Sequence, residues 1–202
     1  MIAIVKYNAG NVQSVQYALQ RLGVEAIWTD DPVLLQNADK VIFPGVGEAS
    51  SAMAYIKSRG LDTILCGLQQ PVLGICLGLQ LFCAHSEEND TACMDVFEGV
   101  RVRKFEDGLL DTAGSRLKVP HVGWNTLNQM RGPLFEGIAD GSYAYFVHSY
   151  YAEQSEDTIA TCTYGTAFSA ALQHNNFYAV QFHPEKSGKA GERLLHNFLT
   201  NL

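Results

Sequence analysis

A lone cysteine stands between two glycines at the point where an apolar segment ends. Residues 72–75 are apolar enough for a buried strand, and Cys76 follows them at the start of a predicted helix. A strand that turns sharply into a helix around a nucleophile is a nucleophile elbow, here with cysteine in place of serine. Glycines on both sides permit the turn and leave space for substrate over the sulfur. The helix N-terminus favours a thiolate, and the amide of Leu77 is the first candidate donor to an oxyanion.

A histidine and a glutamate follow the last predicted strand, two residues apart. If this segment is extended, His183 and Glu185 face the same side, and Pro184 stiffens the link between them. A cysteine nucleophile needs an imidazole that takes its proton and a carboxylate that orients the imidazole. Taken alone, Cys76 could equally be a small buried core residue. Taken alone, His183 and Glu185 could equally belong to a solvated turn. Their combination predicts a triad that cleaves an amide.

Alternating strands and helices must position these residues. Strand candidates at 2–5, 24–28, 39–45 and 72–75 alternate with helical patterns at 12–22 and 48–58. This alternation indicates a parallel sheet that is covered on both faces. After about Glu98 the segments become shorter and β-rich, and an apolar helical face over 190–199 closes the domain. We therefore expect one domain over residues 1–202, an α/β three-layer sandwich. Its largely parallel central sheet is flanked by helices, and a smaller β-rich portion is antiparallel.

Composition excludes several other classes of protein. The 202 residues carry a net charge of -7, which argues against non-specific binding to nucleic acid or to an anionic membrane. No apolar run approaches the roughly 18 to 20 residues of a membrane helix, and the first residues lack the pattern of a secretory signal. We therefore expect a cytoplasmic protein. Five cysteines without CxxC spacing make a disulfide framework or a zinc site improbable.

Longer motifs extend the pattern beyond the triad. Together with the cysteine elbow and the His-Pro-Glu sequence, the chain resembles the triad-type, class I glutamine amidotransferases. More narrowly, it is similar over essentially its full length to the glutaminase subunits of imidazole glycerol phosphate synthases. The motifs that carry this resemblance lie at residues 7–15, 43–47, 120–125, 145–150 and 183–187.

The resemblance implies an activity and a partner. Cys76 would hydrolyse glutamine to glutamate and ammonia through a thioester, without a metal or cofactor. The ammonia would enter a (β/α)8-barrel cyclase subunit in a heterodimer, which makes imidazole glycerol phosphate and aminoimidazole carboxamide ribotide in histidine biosynthesis. Three alternatives stay open: a paralogous glutaminase that feeds a different sugar-modifying synthase, a non-catalytic binding subunit of the same fold, and a cysteine peptidase.

The resemblance also implies roles for individual residues. The turn of Gly45, Val46 and Gly47 would complete the oxyanion hole when a partner promotes its rotation, although an ordinary strand-to-helix turn has the same composition. The residues expected to contact glutamine are Gln80, Ser149 and Tyr150. His148, beside them, either lines the site or is a satisfied core histidine.

A partner surface around the mouth of the ammonia passage is the last implied feature. The residues expected there are Trp124, Tyr145 and Lys186, with Asn8 and Asn11 joining them from the first loop. Exposed tryptophan is enriched at interfaces, which agrees with this placement. Each residue could instead serve packing or helix capping. Many family members have Asp where this chain has Lys6, and this reversed charge leaves the partner's complementary residue open.

Overall fold

The computed structural model describes residues 1–8, 10–111 and 113–202. The α-helices are α1 (Val12–Arg21), α2 (Pro32–Gln36), α3 (Ala49–Ser58), α4 (Leu61–Cys66), α5 (Leu77–Phe82) and α6 (Gly188–Thr200). In these ranges no helix is long and apolar enough to cross a membrane. Short 3-10 helices lie at Glu88–Asp90, Pro133–Phe135 and Pro184–Lys186.

The strands form one large sheet and two small ones. They are β1 (Ile2–Val5), β2 (Ala26–Thr29), β3 (Lys40–Gly45), β4 (Val72–Cys76), β5 (Cys83–Ser86), β6 (Thr91–Ala92), β7 (Phe97–Lys104), β8 (His121–Thr126), β9 (Tyr143–His148), β10 (Tyr150–Ala152), β11 (Thr158–Tyr164), β12 (Thr166–His174) and β13 (Phe177–Val180). The large sheet has the order β11-β12-β13-β4-β3-β1-β2. Its strands from β13 to β2 are parallel, whereas β11, β12 and β13 pair antiparallel. The small sheets are β10-β7-β5-β6 and the ribbon β8-β9.

Helices cover both faces of the large sheet because its strands are apolar on both sides. In β1, Ile2 and Ile4 pack into one core with residues of α1 and α6, whereas Ala3 and Val5 pack into the other with residues of α3, α4 and α5. This period of two is the geometry of an extended strand. The predicted α/β sandwich with a mainly parallel sheet and a smaller antiparallel portion is therefore confirmed.

The carboxyl ends of three neighbouring strands meet at one edge of the sheet. Gly45 at the end of β3 pairs with Cys76 at the end of β4, and Ile75 pairs with Val180 at the end of β13. Crevices at this edge are where open α/β sheets bind ligands. The register therefore brings the glycine turn, the cysteine and the His-Pro-Glu segment to one place.

Several boundaries differ from the sequence expectations. The second strand begins at Ala26 instead of residue 24, and the last strand ends at Val180 instead of 182. The run 143–150 is broken at Ser149 into β9 and β10. The helices α2 and α4 and the strand β5 were not predicted. Asp31 caps α2 by accepting hydrogen bonds from Val33 and Leu34, a signal that the sequence did contain.

Candidate active site

Cys76 occupies a strained backbone position between β4 and α5. Its φ is 55° and its ψ is -106°, and the residue is 6% exposed. A non-glycine residue at positive φ is costly and is common at functional sites. The structure corrects the role expected of the glycines, because the cysteine itself makes the turn. A Cβ at Gly78 would lie 1.9 Å from the Phe43 carbonyl oxygen, so that glycine serves close packing of α5 on β3.

His183 and Glu185 meet in a tight turn. His183 Nδ1 lies 2.8 Å from Glu185 Oε1, and their side chains are 1% and 0% exposed. The backbone from Pro184 to Lys186 is a 3-10 helix, so the expected extended geometry was wrong. The two side chains therefore meet because the backbone curves in this turn, and not because alternate residues of a strand face the same side.

The surroundings of the His183 imidazole favour its protonated form. Burial alone lowers the pKa of His183, but hydrogen bonds and charge interactions with Cys76 and Glu185 outweigh burial and raise it to about 10. A histidine with a raised pKa holds its proton at neutral pH. The arrangement therefore favours a protonated imidazole between Cys76 and Glu185, with a proton ready for a leaving group.

Asn11 supports this turn from the start of α1. Its Nδ2 donates to Glu185 Oε1 at 2.5 Å and lies 3.4 Å from His183 Nδ1, and its side chain does not cap the helix. The backbone N–H of His183 donates to the Tyr145 carbonyl at 2.9 Å. Asn11, expected on the partner surface, is thus directly bonded to the carboxylate.

A cavity of about 320 Å³ opens beside Cys76. Most of the residues that the resemblance assigned to glutamine and its oxyanion lie on its wall: Val46, Gly47, Leu77, Gln80, Ser149 and Tyr150. The wall also contains Glu88, Pro120, Val147 and His148, none of which was predicted as a site residue, although His148 was left open. The cavity is the size of a small ligand, and the cysteine lies on its surface.

Glu88 is the charged residue that sequence reasoning missed. Its Oε2 accepts a hydrogen bond from the Ala49 amide at 2.7 Å, at the N-terminus of α3. Burial raises the pKa of Glu88, while the bond from Ala49 lowers it. The polar segment that contains it forms the 3-10 helix Glu88–Asp90 and β6. The available signal was the glutamate pair at 87 and 88, the first acidic residues after the cysteine motif.

Two glutamine side chains connect the cavity wall to the sulfur. Gln80 Nε2 donates to the Tyr150 carbonyl at 2.9 Å and to Gln181 Oε1 at 3.0 Å. Gln181 is fully buried, and its Nε2 lies 3.6 Å from Cys76 Sγ. Gln181 was also missed, and the signal was a polar residue within the apolar run 177–182.

The glycine turn after β3 is fixed at one end and open at the other. The Tyr7 hydroxyl donates to the Pro44 carbonyl at 2.9 Å, and a Cβ at Gly45 would lie 1.9 Å from that hydroxyl. Gly47 has a φ of 129° with open space where a Cβ would be. Glycine at this position removes the Cβ that would restrict the backbone of the turn.

An aromatic pair, one ring exposed and the other half-buried, lies on the ribbon β8-β9. Trp124 is 55% exposed and pairs across the ribbon with Tyr145, with ring centroids 5.8 Å apart. Val122 and Val147 form the next exposed pair on the ribbon. Lys186 is exposed beside the buried Glu185. The two cross-strand pairs of the ribbon form an apolar surface, the ribbon surface, whereas Lys186 lines a separate cavity with Arg21 and Glu192.

Lys6 and Asn8 contact residues outside the ribbon surface. Asn8 is exposed and donates to the Ser51 carbonyl at 3.3 Å. Lys6, the departure from the family pattern, lies 3.9 Å from Asp30 and 5.4 Å from the centre of the Trp28 ring. Its charge is therefore directed toward the edge strand β2.

Two buried histidines contact each other at the cavity, with His148 on its wall. His121 Nδ1 and His148 Nε2 are 3.0 Å apart, and His148 Nδ1 donates to the Tyr150 carbonyl at 2.8 Å. Burial lowers the pKa of His121 to about 4 and that of His148 to about 3. Both rings are therefore neutral near pH 7. In the described ranges no group of three or more His, Cys, Asp and Glu is placed to hold a metal ion.

Comparison with known proteins identifies the family. The model of the glutamine amidotransferase class-I family matches residues 3–202. The chain belongs to the class-I glutamine amidotransferases. Curated relatives of this amidotransferase include the imidazole glycerol phosphate synthase subunit HisH of Bacteroides thetaiotaomicron, 54% identical over 98% of both chains. The HisH subunit of Colwellia psychrerythraea is 46% identical over 97% of this chain and 91% of the relative. The predicted family resemblance is confirmed.

Several solved structures share the fold. One glutamine amidotransferase has a TM-score of 0.73 at 19% identity, covering 98% of this chain and 97% of that chain. Another, from Thermotoga maritima, has a TM-score of 0.63 at 15% identity, covering 100% and 83%. PurLQS from Thermotoga maritima has a TM-score of 0.65 at 16% identity, covering 99% and 97%. At these identities the likeness shows the fold alone.

Proposed function

We propose that this amidotransferase is the glutaminase subunit of an imidazole glycerol phosphate synthase. It hydrolyses glutamine at Cys76 and passes the ammonia to a (β/α)8-barrel cyclase subunit for histidine biosynthesis. The observation that carries the proposal is the position of Cys76 on a small cavity with the buried His183–Glu185 pair behind it. The identity to HisH subunits over nearly the whole chain supports the choice of reaction.

The first half of the reaction forms a thioester. The Cys76 thiolate attacks the carboxamide carbon, a C–S bond forms, and the carbonyl electrons move to oxygen. The Leu77 amide and an N–H of the turn from Gly45 to Gly47 hold that oxyanion. As the oxyanion collapses, the C–N bond breaks and His183 gives its proton to the departing nitrogen. Ammonia leaves, and a glutamyl thioester remains.

The second half restores the enzyme. Neutral His183, held by Glu185, takes a proton from water as the water oxygen attacks the thioester carbon. The tetrahedral intermediate collapses, the C–S bond breaks, and the sulfur leaves as thiolate beside the imidazolium. Glutamate departs. Each step uses groups of this chain and the two reactants.

Glutamine recognition is assigned to the far wall of the cavity. Glu88 lies on this wall, and its carboxylate matches the α-ammonium group of glutamine. Ser149 and Tyr150 line the same cavity at the break between β9 and β10, and their backbone N–H groups are assigned to the α-carboxylate. A cavity of about 320 Å³ suits a free amino acid better than a polypeptide, which disfavours the peptidase alternative.

Partner binding is assigned to the ribbon surface, whereas Asn8 and Asn11 contact the Ser51 carbonyl and Glu185. Exposed aromatics are common anchors of interfaces. The ribbon is joined to the triad by the bond from His183 N–H to the Tyr145 carbonyl and by the bond from the Tyr145 amide to Ser187 Oγ at 2.9 Å. This link supports control of Cys76 by the partner.

We include a cytoplasmic location in the proposal, and five free cysteines fit a reducing compartment.

Glutamate release tests the proposal. The chain is mixed with the barrel cyclase from the same genome and with its ribotide acceptor, and glutamate is measured for wild type and Cys76→Ala. We expect release by the wild type and none by the variant. Equal rates would support a non-catalytic subunit. Release that a surface-polysaccharide synthase stimulates, while the cyclase does not, would support the paralogous alternative.

A further inference from the structure

Gln181 forms a bridge between the nucleophile and the cavity wall. It follows β13 directly, and it is fully buried. One end of its amide faces Cys76 Sγ, with Nε2 3.6 Å from the sulfur, and the other end faces Gln80, with Oε1 3.0 Å from Nε2. The reaction steps above give this buried amide no role.

A backbone carbonyl fixes which way this amide points. The Tyr150 carbonyl oxygen can only accept hydrogen bonds, so Gln80 must direct its NH₂ group toward it. The second hydrogen of that NH₂ group points at Gln181, which must therefore present its oxygen to Gln80. Gln181 is left with its NH₂ group toward the sulfur. His148 donates to the same Tyr150 carbonyl and holds it in place.

Besides His183, two polar groups face the sulfur of Cys76: one hydrogen-bond acceptor and one donor. The Val147 carbonyl is 3.9 Å from Cys76 Sγ and can accept from the thiol. Gln181 can only donate to the sulfur in this orientation, and a donated N–H favours the thiolate. Because an amide does not titrate, this donor persists when His183 has given up its proton.

We propose that Gln181 is a further catalytic residue, whose N–H stabilises and aims the Cys76 thiolate. This inference rests on the proposed glutaminase function and names a group that acts on its nucleophile. Gln181 holds the thiolate during attack and again when the C–S bond of the thioester breaks. Gln80 and the Tyr150 carbonyl orient Gln181, so the wall that contacts glutamine also orients the donor to the sulfur.

Alkylation of Cys76 by iodoacetamide tests this inference without glutamine or a partner. The modified peptides are quantified by mass spectrometry over a range of pH, and exposed Cys66 in the same sample is the internal reference. We expect Gln181→Met to slow alkylation of Cys76 at pH 7 about tenfold and to move the midpoint of its pH profile up by about one unit. Gln181→Glu, which keeps the acceptor for Gln80, should slow it at least as much.

Two further variants distinguish loss of the hydrogen-bond donor from loss of folding. Gln80→Met leaves Gln181 in place but removes the group that orients it, and should slow alkylation by a smaller factor. Gln173→Leu removes a matched glutamine that donates to the Tyr178 hydroxyl, and should leave Cys76 alkylation unchanged. Thermal unfolding of each variant is followed in parallel.

The inference is overturned if folded Gln181→Met, Gln181→Glu and Gln80→Met all alkylate Cys76 at the wild-type rate. It is also overturned if Gln173→Leu slows the reaction as much as they do. An absence of glutaminase activity in the wild type would reject the proposed function alone, because the alkylation readout does not use glutamine.

Discussion

The imidazole of His183 lies 2.8 Å from the carboxylate of Glu185, and both side chains are closed off from solvent. Burial lowers the pKa of His183, and its bonds to Cys76 and Glu185 reverse that effect and raise it to about 10. The stability that this raised pKa contributes is complete below pH 6.5 and is lost as the pH rises through about 10. The pair is thus both a structural contact and the proposed source of the leaving-group proton.

Glu185→Gln keeps the size of the side chain and removes its charge. We expect kcat for partner-stimulated glutamine hydrolysis to fall by about 10²- to 10⁴-fold, because the imidazole loses its orientation and its preference for the proton. The titration midpoint of His183, followed by NMR of labelled histidine, should fall below its wild-type value, because Glu185 contributes to the raised pKa of His183. An unchanged midpoint would remove the assigned role of the carboxylate.

Glu88→Gln tests the assignment of the α-ammonium group. Loss of the charge should raise the KM for glutamine about 10- to 100-fold, because a hydrogen bond between two charged groups is replaced by a neutral one. The matched control is Glu87→Gln. Glu87 is bonded to the Lys104 amide and to Arg103, outside the cavity, and its variant should keep the wild-type KM. Steady-state kinetics with both variants measure the two KM values for glutamine and test the role of Glu88.

Trp124→Ala tests the ribbon surface. We expect the dissociation constant of the complex with the cyclase to rise about 30-fold or more, since truncation of an aromatic anchor costs about 2 kcal/mol or more. Trp28→Ala is the control, because Trp28 is 48% exposed on the edge strand β2. Calorimetric titration should find it close to wild type. Equal losses for both tryptophans would contradict the assigned surface.

The buried histidines predict a loss of stability in acid. Unfolded histidine binds a proton near pH 6.5, whereas folded His121 requires about pH 4 and His148 about pH 3. Between these values the unfolded chain binds more protons, so the free energy of unfolding falls as the pH falls below 6.5. Urea unfolding should show a shallower pH dependence for His121→Gln than for wild type. His196→Gln, on the exposed side of α6, should keep the wild-type slope.

Much of the fold was predictable from strands and helices that carry strong periodic signals. Residues 2–5, 41–45 and 72–76 are continuous apolar runs, which parallel strands buried on both faces require. The short elements were not predictable. The five residues of α2 and the six of α4 are too few for a helical period to stand out, and tertiary packing stabilises them. The one-domain organisation stays a prediction.

Residues of the candidate site were predictable where the residue type itself implies chemistry. They were not predictable where their role depends on which residues meet in the folded chain. Cys76, His183 and Glu185 are reactive or titratable residues in recognisable motifs. Glu88 and Gln181 are ordinary surface residue types in sequence, and only the meeting of β4, β13 and the 3-10 helix Glu88–Asp90 brings them to the cavity and the sulfur. Asn11 was expected to cap α1 or to join the partner surface, but its contact with Glu185 arises across 174 residues of sequence separation.

The glutamyl thioester itself is the most direct test of the role of Cys76. The complex with the cyclase and its acceptor is mixed with isotopically labelled glutamine, quenched in acid within one turnover, digested and read by mass spectrometry. We predict label on the peptide that contains Cys76 in the wild type, increased in a variant that slows water attack, and absent from Cys76→Ala. Label on another cysteine, or glutamate formed at the full rate with no label on Cys76, would contradict the central claim.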